Sequence, residues 1–130
     1  MNDALAFVEA MSSGIEHTST NPFDIVFIDA DKTRFLQYVE ACLSNNKVLK
    51  KGGLMIVDNV LWKGLVLDVG FTDDSSDEEE KSNKDELKKS RRARKLATTV
   101  HTFNKAIVQD DRVEVLLLPI RDGLSLIRKK

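Results

Sequence analysis

Apolar positions recur along this chain in two rhythms, and the rhythms alternate. Ala4, Phe7, Val8 and Met11 are spaced as one face of a short helix, with Asn2 or Asp3 able to cap its start and Gly14 past its end. After a turn-like stretch at 17–22, residues 25–28 form a continuous apolar run of strand length. A run apolar on both faces predicts a central parallel strand. Phe35, Tyr38, Val39, Cys42 and Leu43 then recur at i, i+3, i+4, i+7 and i+8, the stripe of an amphipathic helix. Gly52-Gly53 is expected to turn the chain into a second apolar run at 54–57. Strand, helix and strand in this length predict a right-handed βαβ unit. Leu96, Val100, Phe103 and Ile107 make another helical stripe, and Asn83 with Glu86 has capping-box spacing for its start. Two final apolar runs, 113–119 and 124–129, flank Arg121-Asp122-Gly123 and read as an antiparallel hairpin. The pattern is α/β, without an internal repeat.

Composition narrows the class. The 130 residues are 42% hydrophobic, one domain's worth of chain. A net charge of −1 gives no global pull toward nucleic acid or an anionic membrane. No stretch approaches the roughly 20 apolar residues of a membrane span, and MNDALAFVEA lacks the positive start of a secretory signal. Cys42 is the only cysteine, which excludes an internal disulfide framework and a Cys-rich zinc site. A reducing, cytoplasmic setting is therefore expected. On its helical stripe, Cys42 reads as a core residue.

The charge is concentrated. Within a single domain, 1–130, the segment 73–95 stands out as a charged insert: sixteen of its twenty-three positions are charged, eight of each sign. Its first part, 73–85, lacks apolar residues and is expected to be a solvated loop. Its second part, KKSRRARK, has the composition of a nuclear address or nucleic-acid patch, or of the exposed start of a helix balanced by the acidic run beside it. No aromatic side chain interleaves it, which argues against base stacking and nucleic acid.

The candidate chemistry lies where the two central runs stop. The first ends Asp29-Ala30-Asp31-Lys32 and the second Asp58-Asn59. In a parallel βαβ unit both C-terminal strand ends lie on one edge, where ligands bind, and neighbouring strands are about 4.8 Å apart. Asp29, Asp58 and Asn59 can then aim three oxygens at one spot. Oxygen donors without His or Cys suit Mg²⁺ or Ca²⁺, with open positions for water and substrate. Acids at strand ends also serve as plain helix caps, a role open to Asp31 and Asp29. Lys32 beside a cation would have its ammonium form disfavoured by like charge, which suits a general base; a surface lysine at a helix start is the simpler alternative.

FDIVFIDADK, GGLMIVDNVLWKG, the Phe103-Asn104 pair and LPIRDGLSL together resemble the cation-dependent, S-adenosylmethionine-dependent O-methyltransferases of the caffeoyl-CoA and catechol O-methyltransferase type. The resemblance covers nearly everything outside 73–95. It implies a partial Rossmann-like methyltransferase sheet, the βαβ unit plus the C-terminal antiparallel hairpin. It implies that Asp29, Asp58 and Asn59 hold a divalent cation, the same three that the strand ends single out. It puts Asp31, beside Asp29, at the S-adenosylmethionine cofactor and makes Lys32 the base. Trp62 falls in the family's LW pair near the active-site edge, where plain packing is an equal alternative. The implied substrate is a small phenolic molecule, catechol-like or an acyl-CoA, with no membrane involved.

Family members are much longer, and their glycine-rich cofactor loop lies upstream of the positions matched here. The resemblance thus implies the C-terminal half of the fold, with the N-terminal cofactor half missing. The first strand is then expected to expose an edge and an apolar face. A chain of this kind is expected to be marginally stable, to form a homodimer, or to pair with the missing N-terminal half. Two other functions compete. IDADKT also fits the DxDxT pattern of haloacid-dehalogenase-like phosphatases, with Asp29 as nucleophile and Asp31 as acid/base, but a plain amphipathic helix follows where that fold needs a cap region. A truncated relative could also serve as a non-catalytic subunit or interaction module.

Overall fold

The computed structural model describes residues 3–14, 21–69 and 84–130. In chain order the elements are α1 (Ala4–Ser13), β1 (Phe23–Ile28), a 3-10 turn (Lys32–Arg34), α2 (Phe35–Leu43), β2 (Leu49–Asp58), α3 (Leu65–Asp68), α4 (Lys84–Val108), β3 (Val113–Leu118) and β4 (Leu124–Lys129). The helix ends follow local chemistry. The Asp3 carboxylate accepts from the Leu5 N–H at the start of α1, and Gly14 closes it in the left-handed conformation, φ 78°. The α2 stripe is buried as spaced, from Phe35 to Leu43. In α1 the buried residues are Leu5 and Met11, whereas Phe7 is exposed. KKSRRARK is the exposed early part of α4, the same helix that buries Ala97, Val100, Phe103 and Ile107. Of the loop expected at 73–85, residues 84 and 85 are already the first turn of α4; 73–83, with the Asn83 cap, lie outside the described residues.

The four strands form one sheet in the order β1-β2-β4-β3. β1 runs parallel to β2, and β4 is antiparallel to both β2 and β3. The hairpin therefore folds back so that its second strand, not its first, lies beside β2. One observation corrects the sequence-based expectation at Gly52-Gly53. This pair is not a turn before β2 but lies inside it, where the β1–β2 register shifts between Phe23 and Ile25. Gly52 takes φ 78°, a left-handed conformation at the bulge that glycine adopts without strain.

One face of the sheet carries Ile28, Met55, Val57, Val113 and Ile127, which join the helices in a single buried cluster. The opposite face is apolar and open among the described residues. There the register lines up Phe27, Ile56, Leu126 and Leu116 in a row across all four strands. Phe27 is 60% exposed and Leu116 56%. β1 is an edge strand of this sheet, not a central one, and Ile25 is exposed with Phe27. Two polar ties brace the covered side. Arg112 pairs with Glu40 of α2 and with Asp110. Lys129, buried at the end of β4, donates to the carbonyls of Cys42 (2.9 Å), Leu49 (3.0 Å) and Asn45, satisfying the C-terminal end of α2.

Candidate metal and catalytic site

The parallel register pairs Phe27 with Ile56 and Ile28 with Val57. Asp29 therefore leaves β1 at the level where Asp58 ends β2, on adjacent strands about 4.8 Å apart. Asp29 carries Lys32 with it: Lys32 Nζ donates to Asp29 Oδ1 at 3.0 Å across the start of the 3-10 turn. The Lys32 side chain is only 17% exposed, against 51% for Asp29. It lies along the Phe35 ring, with Nζ 5.9 Å from the centroid. Asp58 Oδ1 accepts the N–H of Asn59 at 2.6 Å. Each carboxylate has about four lone-pair sites, so these local bonds leave both able to take a further ligand.

After β2 the backbone adopts an unusual path. Asn59, Trp62 and Lys63 all have positive φ (62°, 44° and 56°), and Gly64 follows at 79°. Asn tolerates this region; Trp and Lys do so at a cost, and such strain persists only where surroundings over-determine it. Here they do. Val60 N–H donates to Gly123 O (3.2 Å) and Leu61 N–H to Asp122 O (2.7 Å), both from the β3–β4 hairpin tip. From the other side, Asn104 Nδ2 of α4 donates to Val60 O at 2.7 Å. Gly123 touches Leu61 so closely that a Cβ there would lie 2.6 Å from Leu61 Cγ.

Asp29, Asp58 and Asn59 thus sit at one sheet edge with Lys32 against the first of them. Among the described residues no group of three or more His, Cys, Asp or Glu side chains gathers to hold a metal. Asn59 would be the third oxygen donor of such a set. Two carboxylates and a carboxamide fit a hard divalent cation that keeps water or substrate in its remaining positions, the usual habit of Mg²⁺. Asp31 has a different task. Its Oδ1 accepts from Thr33 N–H (2.9 Å) and Thr33 Oγ1 (2.8 Å), capping the 3-10 turn. Those bonds hold its carboxyl below the usual carboxylate range. Asp31 therefore serves as a cap, whereas Asp29 is tied to Lys32. Trp62 packs against the core with Nε1 buried and unbonded among the described residues. Cys42 is a core thiol, pushed up to about 11 by burial.

Asn104 and the Asp122-Gly123 carbonyls were not assigned roles from the sequence. The Phe103-Asn104 and Arg121-Asp122-Gly123 motifs were visible there, but the contacts that explain them span 44 to 63 residues of chain.

A mixed sheet with helices on one face and oxygen-rich ends on its parallel strands defines a Rossmann-like α/β fold with a ligand edge. The O-methyltransferase family profile matches residues 1–130, and the chain belongs to that family. It is 38% identical over 114 residues to caffeoyl-CoA O-methyltransferase 1 of Zea mays, covering 88% of this chain and 37% of the relative. It is 31% identical over 116 residues to O-methyltransferase ankF of Aspergillus thermomutatus, covering 89% and 44%. The SAH-bound methyltransferase PaMTH1 of Podospora anserina superposes with a TM-score of 0.70 at 26% identity, over 99% of this chain and 47% of that one. The chain thus spans less than half the length of these relatives. The family match sets the chain among the O-methyltransferases, although it also carries the DxDxT pattern. Among the described residues, no helix is long and apolar enough to cross a membrane.

Proposed function

We propose that this chain carries the metal and base corner of an S-adenosylmethionine-dependent, divalent-cation-dependent O-methyltransferase acting on a phenolic hydroxyl of a catechol-like or acyl-CoA substrate. The observation that carries the proposal is the register of β1 and β2, which puts Asp29 level with Asp58 while Lys32 Nζ lies 3.0 Å from Asp29 Oδ1. Asp29, Asp58 and Asn59 hold the cation, which when bound acidifies and orients the hydroxyl. As a neutral amine, Lys32 would accept the hydroxyl proton at Nζ. Its low exposure and its seat along Phe35 keep that nitrogen at the site edge. S-adenosylmethionine, when bound, would supply the methyl group, and the part of this chain would be to position the substrate oxygen for in-line attack. The SAH-bound neighbour supports the cofactor assignment. Asp31 lies beside this edge, and its cofactor role rests on the family resemblance.

Asp58→Ala in the full-length protein tests the site. Calorimetric Mg²⁺ or Mn²⁺ binding should be lost, and unchanged affinity would refute the ligand role. One alternative reading is a non-catalytic subunit or interaction module. Titration of these 130 residues with S-adenosylmethionine plus Mg²⁺ separates the two: heat of binding supports the enzyme, and its absence supports the subunit.

A further inference from the structure

We propose that Asn104 is a positioning residue for the cation site, acting through the peptide of Val60. The inference rests on the proposed metal role of Asp58 and Asn59, and it concerns how that pair is held. Val60 follows Asn59 directly, and both polar groups of its backbone are engaged. Its N–H goes to Gly123 O at 3.2 Å and its C=O receives Asn104 Nδ2 at 2.7 Å. The Val60 side chain is fully buried, so this residue cannot swing. The amide orientation of Asn104 is set by chemistry: the reverse orientation would place Oδ1 against the Val60 carbonyl, acceptor to acceptor.

The bond matters because of the backbone it restrains. Asn59, Trp62 and Lys63 have φ of 62°, 44° and 56°. Left alone, such a segment relaxes toward the favoured negative-φ regions. Relaxation would change the orientation of Asn59 relative to Asp58. A hydrogen-bond partner behind a ligand is worth about 10–100-fold in metal affinity.

Asn104 is itself held in register. Its neighbour Phe103 is buried and packs against Phe35 in a tilted ring contact, with centroids 5.2 Å apart and planes at 60°. Phe35 is the ring along which Lys32 lies. Consecutive residues of α4 thus support the two halves of the site, Phe103 under the Asp29–Lys32 side and Asn104 behind the Asp58–Asn59 side. A helix 44 residues away in sequence thereby fixes the spacing between two strand ends.

The test is Mn²⁺ affinity of the full-length protein, measured by calorimetry or electron paramagnetic resonance. Asn104→Ala, and Asn104→Leu to keep the volume without the donor, should each weaken Mn²⁺ binding by about tenfold or more. Val100→Ala, one turn earlier on α4 and fully buried, should lower the melting temperature yet leave Mn²⁺ affinity within about twofold of wild type. If both Asn104 variants bind Mn²⁺ like wild type, or lose no more than Val100→Ala does, the positioning role is overturned while the metal site stands. If Asp58→Ala also binds like wild type, or wild type binds no Mn²⁺, the metal site itself falls and this role with it.

Discussion

Lys32 and Asp29 are in direct contact, ammonium to carboxylate oxygen at 3.0 Å. The group assigned to take a proton therefore already touches a group assigned to hold the cation. Lys32→Ala is expected to slow single-turnover methyl transfer by about 10²–10⁴-fold, the usual worth of a general base. Mn²⁺ affinity should hold or rise, because the ammonium no longer competes for the Asp29 oxygen. A wild-type rate removes Lys32 as the base.

Gly52 and Gly123 share nearly the same backbone conformation, φ +78° and +84°, but not the same surroundings. A Cβ at Gly52 meets nothing within 4 Å, whereas one at Gly123 lies 2.6 Å from Leu61 Cγ and 2.9 Å from Leu61 N. The second contact is backbone and cannot yield without shifting the 60–64 turn. Gly52→Ala should cost about 1 kcal/mol of strain, and Gly123→Ala about 2–4 kcal/mol. Chemical denaturation checks the ranking, and equal costs would show that the hairpin tip does not clamp that turn.

Burial raises the Cys42 thiol from 9.0 to about 11. A folded value above the unfolded one means stability that is fully present below pH 9 and lost as pH climbs through 11. The difference corresponds to roughly 3 kcal/mol. Lys129 works in the opposite sense: burial lowers its ammonium from 10.5, so its cost is relieved as pH rises toward that value. Substituting the cysteine alone separates the two. Cys42→Ala should flatten the loss of stability between pH 9 and 11, and native Cys42 should react with thiol reagents far more slowly than the unfolded chain. An unchanged pH slope would contradict this.

The open sheet face has a consequence for these 130 residues expressed by themselves. Phe27, Ile56, Leu126 and Leu116 form an apolar row, and the two end members are more than half exposed. Such a patch favours association. The chain is expected to bind a hydrophobic dye and to self-associate in sedimentation velocity. Phe27→Lys with Leu116→Lys should weaken both effects without reducing helix content. A dye-silent monomer that melts cooperatively would refute the expectation.

Much of the fold was legible in the sequence because it is written at short range. The α2 stripe became a buried helix face because helical spacing decides which residues can share a side. Asp3 and Gly14 bracket α1 because a capping oxygen and a left-handed glycine act within one turn. The oxygen-bearing ends of β1 and β2 could be read for the same reason, since a parallel βαβ unit delivers both ends to one edge. Asp31 was less transparent. Its carboxylate suited a cap or a cofactor contact; the two Thr33 bonds show the cap, and the cofactor role stays with the family resemblance.

Local periodicity thus determined the elements, their caps and the candidate donors. The tertiary structure alone decided that β4 lies beside β2, that Gly52-Gly53 forms a bulge within a strand, and that Gly123 and Asn104 close on the turn at Val60. These outcomes depend on backbone groups meeting across long stretches of chain. A hydrogen bond to a main-chain carbonyl or a missing Cβ leaves no periodic trace in the residues that accept it, so only the folded arrangement records which partners met.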